Sequence, residues 1–296
     1  MVDLTGLFPP IPTPFHPDET LNLDALGANL ARWGDQPLDG YVVGGSNGEF
    51  VLMTDDERVA VVAAASQAIA GRRRLIAGAG AQSTRRTVVL CQRMAEAGAV
   101  AALVVTPHYY KNQMTAAAQI HHFEAVAEAS PIPLILYNVP ANTGYELPES
   151  AVVELSQHAN IIGLKDSGGD VGRLASMIRQ TPDDFQVLAG SAGFYLPALS
   201  VGAVGAVAAL ANLAAEPMVS MQRRFAAGDF AAAGAIQRRL IEPNLAVTRR
   251  FGVAGLKQAL DWLGFYGGPV RSPLLPLTPA QAGELRTTLQ EAELLP

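Results

Sequence analysis

An amine, a phenol and a set of hydroxyls and amides recur in this sequence directly after short apolar runs. Lys165 and Asp166 follow Ile161-Ile162-Gly163-Leu164, and Tyr137-Asn138-Val139-Pro140 follows Leu134-Ile135-Leu136. Gly44-Gly45-Ser46-Asn47-Gly48-Glu49 follows Tyr41-Val42-Val43, Thr106-Pro107-His108-Tyr109-Tyr110 ends a fourth run, and Ser167, Gly190 and Ser191 complete the set. Of 21 basic residues only three are lysines, so an amine at the end of an apolar run stands out. Desolvation there disfavours the ammonium form and frees the Lys165 lone pair to attack a ketone carbonyl, which arginine cannot do. Two plainer roles stay open for it: snorkelling to solvent, or pairing with Asp166. Lys111 and Lys257 are expected at the surface.

The ring of Tyr137 can face the same cavity, and a phenol among other hydroxyls gives and takes the protons that carbonyl chemistry moves. It could equally be a core tyrosine with a satisfied hydroxyl. In the Gly44–Gly48 turn, closely spaced glycines let backbone N–H groups point at one anion, and the Ser46 hydroxyl and Asn47 amide suit a carboxylate. A tight strand-to-helix turn without ligand is the alternative. Glu49 reads as orienting this loop.

Other chemistries find little support. The histidines at 16, 108, 121, 122 and 158 include no i, i+4 pair, so no metal site is expected, and acidic residues such as Asp166 and Asp170 suit a helix start. Gly78-Ala79-Gly80 lacks the third glycine and following acid of a dinucleotide fingerprint, so no cofactor is expected. A net charge of −6 disfavours a nucleic-acid partner, and the basic clusters Arg72-Arg73-Arg74 and Arg249-Arg250 read as solvated helix faces. The single cysteine, Cys91, supports no disulfide and reads as a small buried hydrophobe. The weakly polar stretch 201–215 is too short and too broken to span a membrane. Without a leader-like N-terminus, a cytoplasmic enzyme is expected.

The elements that must position these groups follow from the apolar runs. Seven runs lie at Tyr41–Val43, Leu75–Ala77, Ala102–Val105, Leu134–Leu136, Ile161–Leu164, Gln186–Leu188 and Val204–Val207, separated by Ala-rich amphipathic segments. That alternation predicts a parallel sheet covered on both faces. A first strand near Phe8-Pro9-Pro10-Ile11 makes eight, which predicts an α/β fold: a closed (β/α)8 TIM barrel over residues 1–215. Helices over 217–240, 251–263 and 279–294 form a C-terminal helical extension, residues 216–296, packed on the barrel. Ligands of such barrels bind at the carboxyl ends of the strands, where the groups above lie.

Gly45-Ser46-Asn47-Gly48-Glu49, Tyr137-Asn138-Val139-Pro140 and Gly163-Leu164-Lys165-Asp166 resemble, in order and spacing, the signatures of the dihydrodipicolinate synthase and N-acetylneuraminate lyase superfamily. Within it, nearly the whole chain is most similar to the 4-hydroxy-2-oxoglutarate aldolases. Pro140-Ala141-Asn142-Thr143-Gly144, Phe185-Gln186-Val187-Leu188-Ala189-Gly190-Ser191 and Val247-Thr248-Arg249-Arg250-Phe251 carry that finer likeness.

The resemblance implies a Schiff base on Lys165 and a proton relay through Tyr137. Ser46 would assist, as would Tyr109 reaching in from a neighbouring subunit of a homotetramer built as a dimer of dimers. Ser46 and Asn47 would hold the carboxylate beside the ketone of a 2-oxo acid, Ser167 would help position the distal end, and Asn142, Gly190 and Ser191 would line the site. The implied reaction is reversible cleavage of 4-hydroxy-2-oxoglutarate to pyruvate and glyoxylate. The alternatives are another pyruvate-dependent aldolase of the superfamily or dihydrodipicolinate synthase, which joins pyruvate to aspartate semialdehyde and is disfavoured because Asn142 stands where the synthase has an arginine. A catalytically silent ligand-binding barrel is the alternative of another class.

Overall fold

A computed structural model describes residues 2–295. Eight strands form one parallel sheet: β1 (Gly6–Leu7), β2 (Gly40–Val43), β3 (Arg74–Gly78), β4 (Ala101–Val105), β5 (Leu134–Asn138), β6 (Ile161–Asp166), β7 (Gln186–Ala189) and β8 (Gly205–Ala206). Their order is β1-β8-β7-β6-β5-β4-β3-β2, and the barrel closes where the chain beyond β1 meets β2. There the Val42 amide donates to the Pro9 carbonyl at 3.0 Å and the Ile11 amide to the Val42 carbonyl at 2.8 Å. This is the expected (β/α)8 barrel. Its first strand lies earlier than expected, because Pro9 and Pro10 have no N–H to give a ladder and leave only an isolated bridge at Pro10.

The strands are apolar throughout because each side chain is buried on one face or the other. Val42, Ile76, Leu103, Ile135, Tyr137, Ile162 and Leu188 point inward, where Leu4 and Phe8 join them. Tyr41, Leu75, Ala102, Val104, Leu134, Leu136 and Leu164 point outward against the helices. The alternation follows from the two-residue period of a strand, interrupted once at Ile162, where the β5–β6 register shifts. Parallel neighbours in register share a face, so the pairing of Tyr137 with Lys165 turns both side chains into the barrel.

The C-terminal segment departs from its expected helices in two ways. One helix over 217–240 becomes two, Ala215–Ala226 and Phe230–Arg239, because the chain turns at Gly228 (φ +79°) and Asp229 caps the second. A helix also runs where none was expected, Ile241–Leu245, continuing into a π-helical turn at Ala246–Arg250. Pro243 sits in its first turn, where its missing N–H has no intrahelical partner to lose. The last two helices, Gly252–Trp262 and Pro279–Glu291, lie as expected, the latter started by a capping box of Thr278 and Gln281.

Lys257 is not at the surface. It is 1 % exposed, its Nζ 2.5 Å from Glu49 Oε1 and donating to the Pro269 carbonyl at 2.7 Å. The other carboxylate oxygen of Glu49 accepts from the Arg271 amide at 2.8 Å. The extension thereby clamps the loop that carries Ser46 and Asn47. Arg74 opens β3 rather than facing solvent from a helix, and pairs with Asp3 at 3.0 Å. Cys91 is buried, and that burial pushes its thiol up to about 12. No helix among the described residues is long and apolar enough to cross a membrane.

Candidate active site

At the carboxyl ends of the strands, a cavity of about 470 Å³ opens between the barrel and the C-terminal segment. β2 delivers Ser46 and Asn47 through a loop that needs Gly44 at φ +71°. These two residues open a short 3-10 helix, Ser46–Gly48, so their amides have no carbonyl of that helix to bond. β5 delivers Tyr137, the loop after it Asn142, β6 Ser167, and β7 Gly190 and Ser191, all on the cavity wall.

Lys165 lies behind that wall rather than on it. It is 3 % exposed, and its Nζ sits 3.9 Å from the centre of the Tyr137 ring. The phenol oxygen of Tyr137 lies 3.3 Å from Ser46 Oγ. Burial acts to raise the phenol's pKa, but the Lys165 ammonium and hydrogen bonds with Ser46, Lys165 and Ser167 outweigh it and hold the phenol below its ordinary value. An amine, a proton-sharing phenol and a hydroxyl are thus linked in one chain leading from the barrel interior to the cavity.

Asp166 is not the partner of Lys165. Its side chain points to the opposite face of β6, accepting from Asn138 Nδ2 at 2.8 Å, from the Gly168 amide at 2.7 Å and from Arg173 at 2.8 Å. Those bonds fix the ends of β5 and β6 side by side, and Asn138 Oδ1 further accepts from the Leu147 amide at 3.0 Å. Asp170 caps the helix Val171–Gln180 by accepting from the Arg173 amide.

The sequence matches the Dihydrodipicolinate synthetase family over residues 3–292. The chain belongs to this family. It is 34% identical over 283 residues to the 4-hydroxy-tetrahydrodipicolinate synthase of Moorella thermoacetica, covering 96% of each chain. The crystal structure of the dihydrodipicolinate synthase DapA-2 of Bacillus anthracis superposes with a TM-score of 0.94 at 32% identity, covering 98% of this chain and 99% of the other. YagE of E. coli K12, a prophage protein of the same family solved in complex with pyruvate, superposes with a TM-score of 0.92 at 31% identity, covering 98% and 99%. These relatives carry the names of the synthase and its family, whereas the sequence motifs alone favoured the 4-hydroxy-2-oxoglutarate aldolases. What the relatives support is the pyruvate-dependent class I aldolase type of this family, not that aldolase in particular.

One expected site residue of this family member stands apart. Tyr109 is 76 % exposed beside Tyr110, ring centres 5.1 Å apart, and does not line the cavity of its own chain. Conversely, the sequence reading missed a whole wall. Asn244, Leu245, Thr248 and Arg249 line the cavity from residues 241–250, where no helix was expected. Asn244 Oδ1 accepts from Ser191 Oγ at 3.2 Å, and Gln237 donates to the Ala192 carbonyl at 2.9 Å, so the C-terminal segment also holds the β7 loop.

Proposed function

We propose that Lys165 is the Schiff-base residue of this class I aldolase and that Tyr137 moves its protons. The amine attacks C2 of pyruvate, water leaves, and a proton lost from C3 turns the iminium into an enamine. That carbon then attacks an aldehyde, and hydrolysis of the new iminium returns the free amine; cleavage is the same sequence reversed. The observation that carries the reading is the Lys165 amine against the Tyr137 ring, with Ser46 on the phenol oxygen. Ser46 and Asn47 take the carboxylate beside the ketone, and Ser167, Gly190, Ser191 and Asn142 border the rest of the substrate. The exposed Tyr109 is suited to complete the relay of another subunit in a homotetramer.

Of the possible aldehydes, the names of the relatives favour aspartate semialdehyde, which makes the chain a 4-hydroxy-tetrahydrodipicolinate synthase. One observation favours glyoxylate instead, and with it cleavage of 4-hydroxy-2-oxoglutarate: Asn142 borders the cavity, and an amide lacks the fork of a guanidinium.

Borohydride reduction with pyruvate is expected to add the reduced adduct's mass to Lys165 and nothing to Lys165→Ala. Adduct on another lysine, or none, refutes the proposed site. Side-by-side rates of aspartate semialdehyde condensation and of glyoxylate release from 4-hydroxy-2-oxoglutarate then choose the aldehyde. The faster reaction names the activity.

A further inference from the structure

Among the described residues that line the cavity, Arg249 is the one that carries a charge. No acid lines the wall to neutralise it, and its guanidinium makes no hydrogen bond or ion pair with any described residue. Its neighbour behaves in the opposite way. Arg250 is held by Glu242 at 3.1 Å and Glu284 at 3.0 Å, outside the cavity. Two adjacent arginines that read alike in the sequence are therefore divided by the fold, one committed to structure and one left free.

The division follows from helical spacing, since at 3.6 residues per turn neighbours in sequence point about 100° apart. Phe251 N–H bonds back five residues to the Ala246 carbonyl at 3.0 Å, so this turn holds one residue more than an α-helical turn. Thr248 and Arg249 follow Asn244 and Leu245 by four residues, and the four share the face that borders the cavity. Single π turns are rare and are frequent at functional sites. Asn142, which borders the same cavity, has no charge to offer.

We infer that Arg249 grips the carboxylate of the aldehyde partner, so that the enzyme selects aldehydes carrying an acid group. The inference rests on the Schiff-base reading at Lys165 and extends it to the other half of the substrate. Pyruvate needs no second cation, since its own carboxylate has Ser46 and Asn47. An aldehyde's carboxylate facing the opposite wall meets a forked donor whose hydrogen bonds are charge-assisted and specific in geometry.

The test is to measure pyruvate trapping and aldehyde use together in wild type, Arg249→Ala and Arg249→Lys. Two matched aldehyde pairs serve as probes: glyoxylate against acetaldehyde, and succinic semialdehyde against butanal. Wild type is expected to prefer the acid of each pair. In Arg249→Ala, kcat/KM for the acids should fall on the order of 30-fold, mainly through KM, while the uncharged aldehydes change less than about threefold. Arg249→Lys should recover part of the loss, a point charge replacing a fork. Pyruvate trapping on Lys165, which involves no aldehyde, should persist in both variants. Equal losses on charged and uncharged aldehydes, or a wild type without preference for the acids, would overturn the clamp while normal trapping leaves the Schiff base standing. Absence of trapping in wild type overturns both.

Discussion

Tyr137 shows how little a residue type says without its neighbours. A buried phenol alone would be harder to ionise than a free one, yet the Lys165 ammonium and the hydroxyls of Ser46 and Ser167 reverse the direction. Its ionised form is therefore reached at lower pH than in free tyrosine. Tyr137→Phe keeps the ring over the amine and removes only the oxygen. We expect kcat to fall about 10²- to 10⁴-fold, with any alkaline limb due to this phenol lost from the pH profile. A loss below about tenfold in steady-state turnover would assign the proton transfer elsewhere. The burial of Lys165 was legible from its place after an apolar run, and the side chain is 3 % exposed. Lys257 was misread, because the sequence showed a lone lysine in an amphipathic helix and not the Glu49 carboxylate 208 positions earlier in the chain that draws it inward.

At the scale of elements, seven strands and the last two helices were readable, whereas the break at Gly228 and the helix Ile241–Leu245 were not. Short β-branched runs located seven strands to within a few residues, because strands buried on both faces leave no polar alternation to confuse them. The run at Pro9-Pro10 misled by composition, since apolar residues without N–H groups cannot form a ladder. The helices hold a separate pH-sensitive joint. His122, on the helix Ala116–Ala129, is buried with Nδ1 2.9 Å from Thr84 Oγ1 on the neighbouring helix Thr84–Glu96. Burial, with a smaller contribution from His121, depresses it to about 4 from its ordinary value near 6.5. A depressed histidine stays neutral in the folded chain while the unfolded chain gains a proton, so its stabilising effect is full above pH 6.5 and is lost as pH falls toward 4. Between pH 8 and pH 5 urea denaturation should show wild type losing about 2 kcal/mol more than His122→Asn. Equal losses would mean that this histidine takes up its proton in the folded state.

Across the whole molecule, the C-terminal helices act on the barrel site from several directions. Glu49 and Lys257 form a buried ion pair between the β2 loop and the helix Gly252–Trp262, and Arg271 adds a bidentate pair with Glu57 at 2.7 and 3.0 Å. Burial lowers Lys257 from its ordinary value, the Glu49 carboxylate acting against that shift. Lys257→Met should destabilise the fold by about 3 to 5 kcal/mol in chemical denaturation, since it strands a carboxylate. The double change with Glu49→Gln should recover much of that loss, and a double variant no better than the single one would show that the pair's value is packing alone.

The sequence by itself determined the barrel, the strand ends at which its polar groups gather and the place of Lys165 among them. These are local matters: the two-residue period, the switch from apolar to polar at a strand's end, and the chemical singularity of one lysine. Only the tertiary structure decided that Glu49 meets Lys257, that Asp166 turns from Lys165 to Arg173, and that Arg249 enters the cavity while Arg250 does not. Each of those outcomes depends on which surface a side chain meets after the chain has folded back over long separations, and sequence spacing carries no record of that meeting.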